Sequence, residues 1–394
     1  MASGAGAWSM SGMPPAATMP IAGVCDARFG AVRDAFAANL ATRSEIGAAV
    51  TVALDGRVVV DLWGGFADTA RRRPWARDTL VNVFSVSKAL TTVCALRLVE
   101  RGVLDLDAPI ARIWPEFTAA DVTLRHVLSH RAGLPALRAP LPADAMLDWA
   151  TMAAALARQP PWWEPGTAHG YHVNTFGFLV GEVVRRATGR TLGARLRDEI
   201  AGPLGADLWI GLPAAEHLRV AEFRWNEPVP ALDREVLADD DLMRWATYFN
   251  PAGFSGVGFV NTPAWRAAEL PSTNGHGTAR GVARFYAALA AGGTIDGVRL
   301  LDAATLAQAV TPHSVGPDRV LQRPSAFGLG FQLSQPERRL GPNPGAFGHF
   351  GAGGALGFCD PATGLAFGYV MNDMGPRWQN PRNRALIDAL YACL

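Results

Sequence analysis

Phe84-Ser85-Val86-Ser87-Lys88-Ala89-Leu90 is the stretch on which the reading of this chain turns. Lys88 is the only lysine in 394 residues; every other basic side chain is arginine. Where arginine serves at all other basic positions, the one retained lysine marks a place where a guanidinium fails. Arginine keeps its proton inside a protein, whereas a buried lysine can be driven toward the neutral amine and act as a base. Ser85 stands three residues earlier, and helix positions i and i+3 share a face with Cβ atoms about 5–6 Å apart. An amine at 88 therefore reaches a hydroxyl at 85, the pairing of a nucleophile with its activating base. A solvated pair on a helix surface is the plainer alternative.

Working outward, Ser85 to Arg101 is good helix material with Gly102 as a stop, so Ser85 falls at a helix N-terminus, where free N–H groups favour a developing negative charge. Thr79–Phe84 reads as a short extended lead-in. Upstream, Phe29, Val32, Phe36 and Leu40 form a helical stripe, and Ala48–Leu54 and Arg57–Trp63 flank Asp55-Gly56, a hairpin signal. Residues 103 to 250 carry mostly helical patterns: His126 onward, Ala145–Ala157, Asn174–Ala187 and Leu192–Ile200. The final third returns to short apolar strands after a Gly281–Ala291 helix. Ala355–Cys359 and Leu365–Met371 flank a second hairpin turn, and Asn380-Pro381 caps a last helix. Strands at both ends with helices between them predict one sheet built by the two ends and an inserted helical domain. The division is a flexible arm over 1–25, a sheet domain from 26–84 and 270–394, and a mainly helical insertion over 85–269.

Composition excludes several classes. The formal net charge is +1 and the pI about 7.8, so no broad field recruits nucleic acid or anionic lipid. Arg71-Arg72-Arg73 before Pro74 reads as a solvated turn. Cys25, Cys94, Cys359 and Cys393 are widely spaced without a C-x-x-C pair, suggesting neither a zinc site nor a disulfide framework, and Cys94 reads as a packed apolar residue. No run approaches 18 apolar residues and the start lacks a secretory pattern, so a cytoplasmic protein without membrane attachment is expected.

A lone S-x-x-K is weak, and a second proton-handling group is needed. Tyr171, one of only five tyrosines, follows the Trp163-Glu164-Pro165-Gly166 loop and precedes the helix beginning near Asn174. It is the best candidate, with plain packing as the alternative. In Phe347-Gly348-His349-Phe350-Gly351-Ala352-Gly353-Gly354 the missing side chains let a substrate lie against backbone N–H groups, half of an oxyanion hole; a glycine-tolerant strand start is the alternative. His126 and His130 lie four apart on an expected helix, but Val127 breaks the H-E-x-x-H pattern. His169 and His172 flank Tyr171; either could orient it, and a hydrogen-bonded structural role is the plainer expectation. No G-x-S-x-G occurs. The twelve tryptophans, Trp149, Trp162, Trp163, Trp245 and Trp265 among them, imply large apolar walls.

Ser85-x-x-Lys88, Tyr171-His172-Val173 and His349-Phe350-Gly351 occur in the order of the three motifs of serine β-lactamases and penicillin-binding proteins. The chain most resembles the family VIII carboxylesterases, which are similar to class C β-lactamases. Leu128-Ser129-His130-Arg131-Ala132-Gly133-Leu134 and Asn274-Gly275-His276-Gly277-Thr278-Ala279-Arg280 extend the resemblance from about residue 30 to the end. It implies an α/β fold of the β-lactamase/transpeptidase type, an antiparallel sheet flanked by helices with an inserted helical domain and the site between the two parts. It implies Ser85 as the acylated nucleophile, Lys88 as its base or proton relay, and Tyr171 as the group that shares that proton and protonates the leaving group. The backbone N–H groups of Ser85 and Ala352 become the oxyanion hole, and His349, Gly351, Val173 and His172 the substrate-binding residues.

Two departures bear on substrate. Antibiotic-cleaving relatives carry Tyr-x-Asn and Lys-Thr-Gly, where this chain has Val173 at the third position of one motif and His349-Phe350-Gly351 for the other. A missing amide and a mostly neutral imidazole disfavour an anionic amide and favour neutral esters; Asn174, one position later, is a possible substitute for the amide. The expectation is a cofactor-free, metal-free serine hydrolase acting on small-molecule carboxylic esters. The alternatives are β-lactamase, D-peptidase or acyltransferase activity at the same site and, in another class, a non-catalytic protein that binds a peptide or cell-wall ligand.

Overall fold

The computed structural model describes residues 21–225, 237–376 and 379–394. The strands are β1 (Ile21–Cys25), β2 (Gly47–Leu54), β3 (Arg57–Gly65), β4 (Val81–Phe84), β5 (Leu208–Trp209), β6 (Gly275–Gly277), β7 (Thr294–Ile295) and β8 (Val298–Arg299), followed by β9 (Ser314–Pro317), β10 (Pro324–Phe327), β11 (Gln332–Leu333), β12 (Phe347–Phe350), β13 (Leu356–Asp360) and β14 (Leu365–Met371). Nine of them form one antiparallel sheet in the order β1-β3-β2-β14-β13-β12-β11-β10-β9. The two ends of the chain meet where β14 pairs with β2, from Leu365 opposite Leu54 to Met371 opposite Ala48. A three-stranded sheet, β4-β6-β5, lies apart from it.

Both hairpins form. Asp55 and Gly56 sit at φ 47° and 79°, the left-handed pair a two-residue turn between β2 and β3 requires. Of the arm expected over 1–25, residues 1–20 lie outside the described residues. Ile21–Cys25 do not hang free: they pair along β3 as the edge strand β1.

The helices that matter for the site are α1 (Gly30–Thr42), α2 (Ser87–Glu100), α3 (Leu124–Leu128), α4 (Trp149–Ala157) and α5 (Thr175–Thr188). Helix α1 packs on β1, β3 and the C-terminal Pro381–Tyr391 helix, whose Asn380 cap accepts from the amides of Arg382 and Asn383. From Ser87 to Leu96 every residue of α2 is buried, as befits a helix wedged between β12 on one side and α5 on another. One contiguous apolar core joins the residues of both regions, so the boundary expected between 84 and 85 runs through shared packing.

Two local expectations need correction. Helix α3 covers five residues only, and His130 lies past its end at φ 60°, so His126 and His130 do not share a helix face. The helix expected over 192–200 changes at Arg197 into a π-helical turn, Arg197–Ala201. No helix among the described residues is long and apolar enough to cross a membrane.

Candidate active site

The site starts from a sharp turn between β4 and α2. Phe84, a non-glycine residue, takes φ 47°, a conformation that persists only where the surroundings enforce it. Here Ser87 does so: its hydroxyl donates to the Phe84 carbonyl and accepts from the Gly275 amide at 2.9 Å, tying the turn to β6. Ser85 thus sits two residues ahead of the helix, facing a cleft, and is 7% exposed.

Lys88, one turn on, is fully buried. Its Nζ lies 3.2 Å from Ser85 Oγ and donates to two backbone carbonyls, Val173 at 2.6 Å and Ser272 at 3.1 Å. Burial drives the Lys88 ammonium well below the ordinary lysine range.

Tyr171 is equally buried and its ring centroid is 4.8 Å from Lys88 Nζ. The ring stacks on Phe327 at 5.5 Å and meets His130 edge-on at 4.8 Å. Burial pushes its phenol well above the usual range, and a hydrogen bond with Ser85 works in the opposite direction. Ser85, Lys88 and Tyr171, separated in sequence, are brought together at one point.

The four residues expected to contact substrate do not act alike. Val173 lines the cleft, while His172, His349 and Gly351 are buried behind its wall. His172 is fixed by backbone groups on both ring nitrogens: Nδ1 donates to the Gly170 carbonyl at 2.7 Å and Nε2 accepts from the Leu134 amide at 3.0 Å. His349 Nδ1 donates to the Phe350 carbonyl at 2.8 Å, and its Nε2 has no hydrogen-bond partner among the described residues. Burial, with Lys88 nearby, pushes His349 down to about 3, so the imidazole is neutral. His130 is neutral for the same reason, and its Nδ1 accepts from the His172 amide at 3.1 Å. His169 bonds Ser325 at 2.9 Å.

Asn174 does line the cleft, but its amide is committed. Nδ2 donates to the Thr247 carbonyl and Ser255 Oγ, and Oδ1 accepts from Thr273. Ala352 opens the turn after β12 and lines the cleft with Gly353. Neither the Ser85 nor the Ala352 amide donates to a backbone carbonyl among the described residues.

The cleft has a volume of about 300 Å³, with walls that include Trp225, Tyr248, Phe249, Val257 and Met374. No charged side chain lines it among the described residues. The sequence reading missed these wall residues and the two carbonyls that hold Lys88. Backbone oxygens carry no residue signature, and an aromatic residue at helical spacing looks the same whether it faces a core or a cleft.

The beta-lactamase family profile matches residues 32–392. The chain is 38% identical over 372 residues to the esterase/beta-lactamase LipL of Mycobacterium tuberculosis, covering 91% of this chain and 84% of that protein. It is 30% identical over 382 residues to esterase EstB of Burkholderia gladioli, covering 90% and 92%. Among solved structures, a family VIII carboxylesterase matches with a TM-score of 0.87 at 41% identity, over 95% of this chain and 100% of that one.

Proposed function

Because this chain belongs to the beta-lactamase family of serine hydrolases, we propose that it is a carboxylesterase cleaving neutral esters of small to medium size through an acyl-enzyme on Ser85. The observation that carries this reading is the set of contacts at Lys88 Nζ. A neutral amine has two N–H groups and one lone pair. The Val173 and Ser272 carbonyls occupy the two N–H groups, which leaves the lone pair for the Ser85 hydroxyl proton.

Lys88 takes that proton as Ser85 Oγ bonds to the ester carbonyl carbon and the carbonyl electron pair moves onto oxygen. The oxyanion accepts hydrogen bonds from the Ser85 and Ala352 amides, the groups with no backbone acceptor of their own. Collapse expels the alcohol, which takes a proton from Tyr171, and the phenol is recharged from Lys88. Water then enters, gives up a proton along the reverse path and releases the acid.

The lack of a charged side chain in the cleft wall among the described residues, the neutral His349 and the committed Asn174 amide support esters over anionic β-lactams. The test pairs two assays with one reagent. The protein should hydrolyse p-nitrophenyl butyrate and open nitrocefin far more slowly. A serine-directed phosphonate should leave one adduct on Ser85, read by mass spectrometry, and none in Ser85→Ala. Nitrocefin turnover matching the ester would favour a lactamase; no adduct and no turnover would favour a binding protein.

A further inference from the structure

We propose that Asp318 is a positioning residue for this reaction, holding Tyr171 against Ser85 and Lys88 by gripping the loop that carries it. The inference rests on the esterase reading above and on contacts that the reading does not use. Asp318 lies in the loop between β9 and β10 and is 2% exposed. Its Oδ1 accepts from the Tyr171 amide at 3.1 Å and from the amides of Val320 and Leu321 at 2.9 and 2.8 Å. Its Oδ2 accepts from Ser325 Oγ at 2.8 Å, and the same hydroxyl meets His169 Nε2 at 2.9 Å. The neighbouring Arg319 amide donates to the His169 carbonyl at 3.1 Å. One buried carboxylate and its loop therefore clamp both 169 and 171.

The ring is held from the same side, since Phe327, on which Tyr171 stacks at an interplanar angle of 3°, belongs to β10. A carboxylate that accepts four donors has no free capacity to move, so Tyr171 inherits its fixed place from the β9–β10 hairpin. The charge adds a second effect: Asp318 stands among the causes that keep the Tyr171 phenol protonated, the form that can give a proton to an alcohol. The titratable groups facing this pair are His169, Lys88, His130, His349, Tyr248 and Arg338, and Arg131 and Arg323 act on His169 and Tyr248.

Asp318→Asn keeps the shape and removes the charge. It should lower kcat for p-nitrophenyl butyrate about 10- to 100-fold with KM within about twofold, the mark of a misplaced proton donor. The alkaline limb of the kcat profile should move to lower pH. Ser325→Ala, which removes the Oδ2 contact and the hydroxyl's bond to His169 but leaves the Tyr171 amide on Oδ1, should give a smaller loss and serves as the test if Asp318→Asn does not fold. In a Tyr171→Phe background both changes should cost nothing further, measured as the rate of phosphonate labelling at Ser85. A loss of equal size with and without the Tyr171 hydroxyl would overturn the inference and leave the esterase reading standing. Full activity in Tyr171→Phe would remove the Tyr171 role and this inference with it.

Discussion

In the proposed mechanism Lys88 occupies a position that no arginine can fill, because a base there must lose its proton. Lys88→Arg should reduce ester turnover by at least about 10³-fold, and ordinary hydrolysis by that variant would refute the proposed base. The lowered lysine pKa has a signed consequence. Protonation of Nζ removes the lone pair, so kcat/KM should fall on the acid side of a limb lying well below the ordinary lysine range, and a limb near that range would contradict a desolvated amine. At this scale the sequence was informative where chemistry resides in scarce side chains: a lone lysine, a serine one turn away, one of five tyrosines. It was silent on the Val173 and Ser272 carbonyls. The family resemblance set His172 and His349 at the substrate whereas both rings lie behind the wall, because a motif fixes order along the chain and not which side of a wall a ring occupies.

The elements around Ser85 are tight turns. After β12 the chain bends through Ala352–Gly354, with Gly353 at φ 76°. A Cβ there would lie 2.9 Å from both Met371 Cε and Met374 Sδ and in a conformation that L side chains avoid. Gly353→Ala should therefore displace the Ala352 amide and cut kcat about 10²-fold, as loss of one oxyanion donor does, while a phosphonate still labels Ser85. Unchanged kcat would argue against that amide. Hairpins and caps were legible because Asp55-Gly56 and Asn380-Pro381 are demanded by local backbone geometry. The early end of α3, the start of α2 at Ser87 rather than Ser85, and the π-helical turn at Arg197–Ala201 are set by tertiary packing, which no local pattern records.

For the whole molecule, a mostly buried polar network links the middle of the sheet, where β2 meets β14, to the residues beside the cleft. Glu45 is fully buried, Tyr369 donates to its Oε1, Oε2 has no hydrogen-bond partner among the described residues, and Arg382 stands 4.0 Å away. Arg382 also pairs with Asp373 at 3.0 Å, and Asp373 with Arg224 at 2.7 Å, beside the wall residues Met374 and Trp225. Burial pushes Glu45 up to about 7 from 4.5. A raised carboxyl binds its proton more tightly when folded. The associated stability is fully present below pH 4.5 and lost as pH rises through 7, on the order of 3 kcal/mol. Glu45→Gln should remove that slope, seen as urea midpoints that diverge from the parent between pH 5 and pH 8; parallel midpoints would mean that Glu45 does not titrate there. The pairing of β14 with β2 was foreseeable from strands at both ends of the chain, whereas this network joins residues too far apart in sequence to be connected beforehand. The sealed lysine, finally, leaves an exterior whose cationic side chains are all guanidinium. Succinimidyl esters and aldehyde fixatives should find no ε-amine on the native surface, so a label that does arrive at Lys88 would report, molecule by molecule, how often the interior comes open.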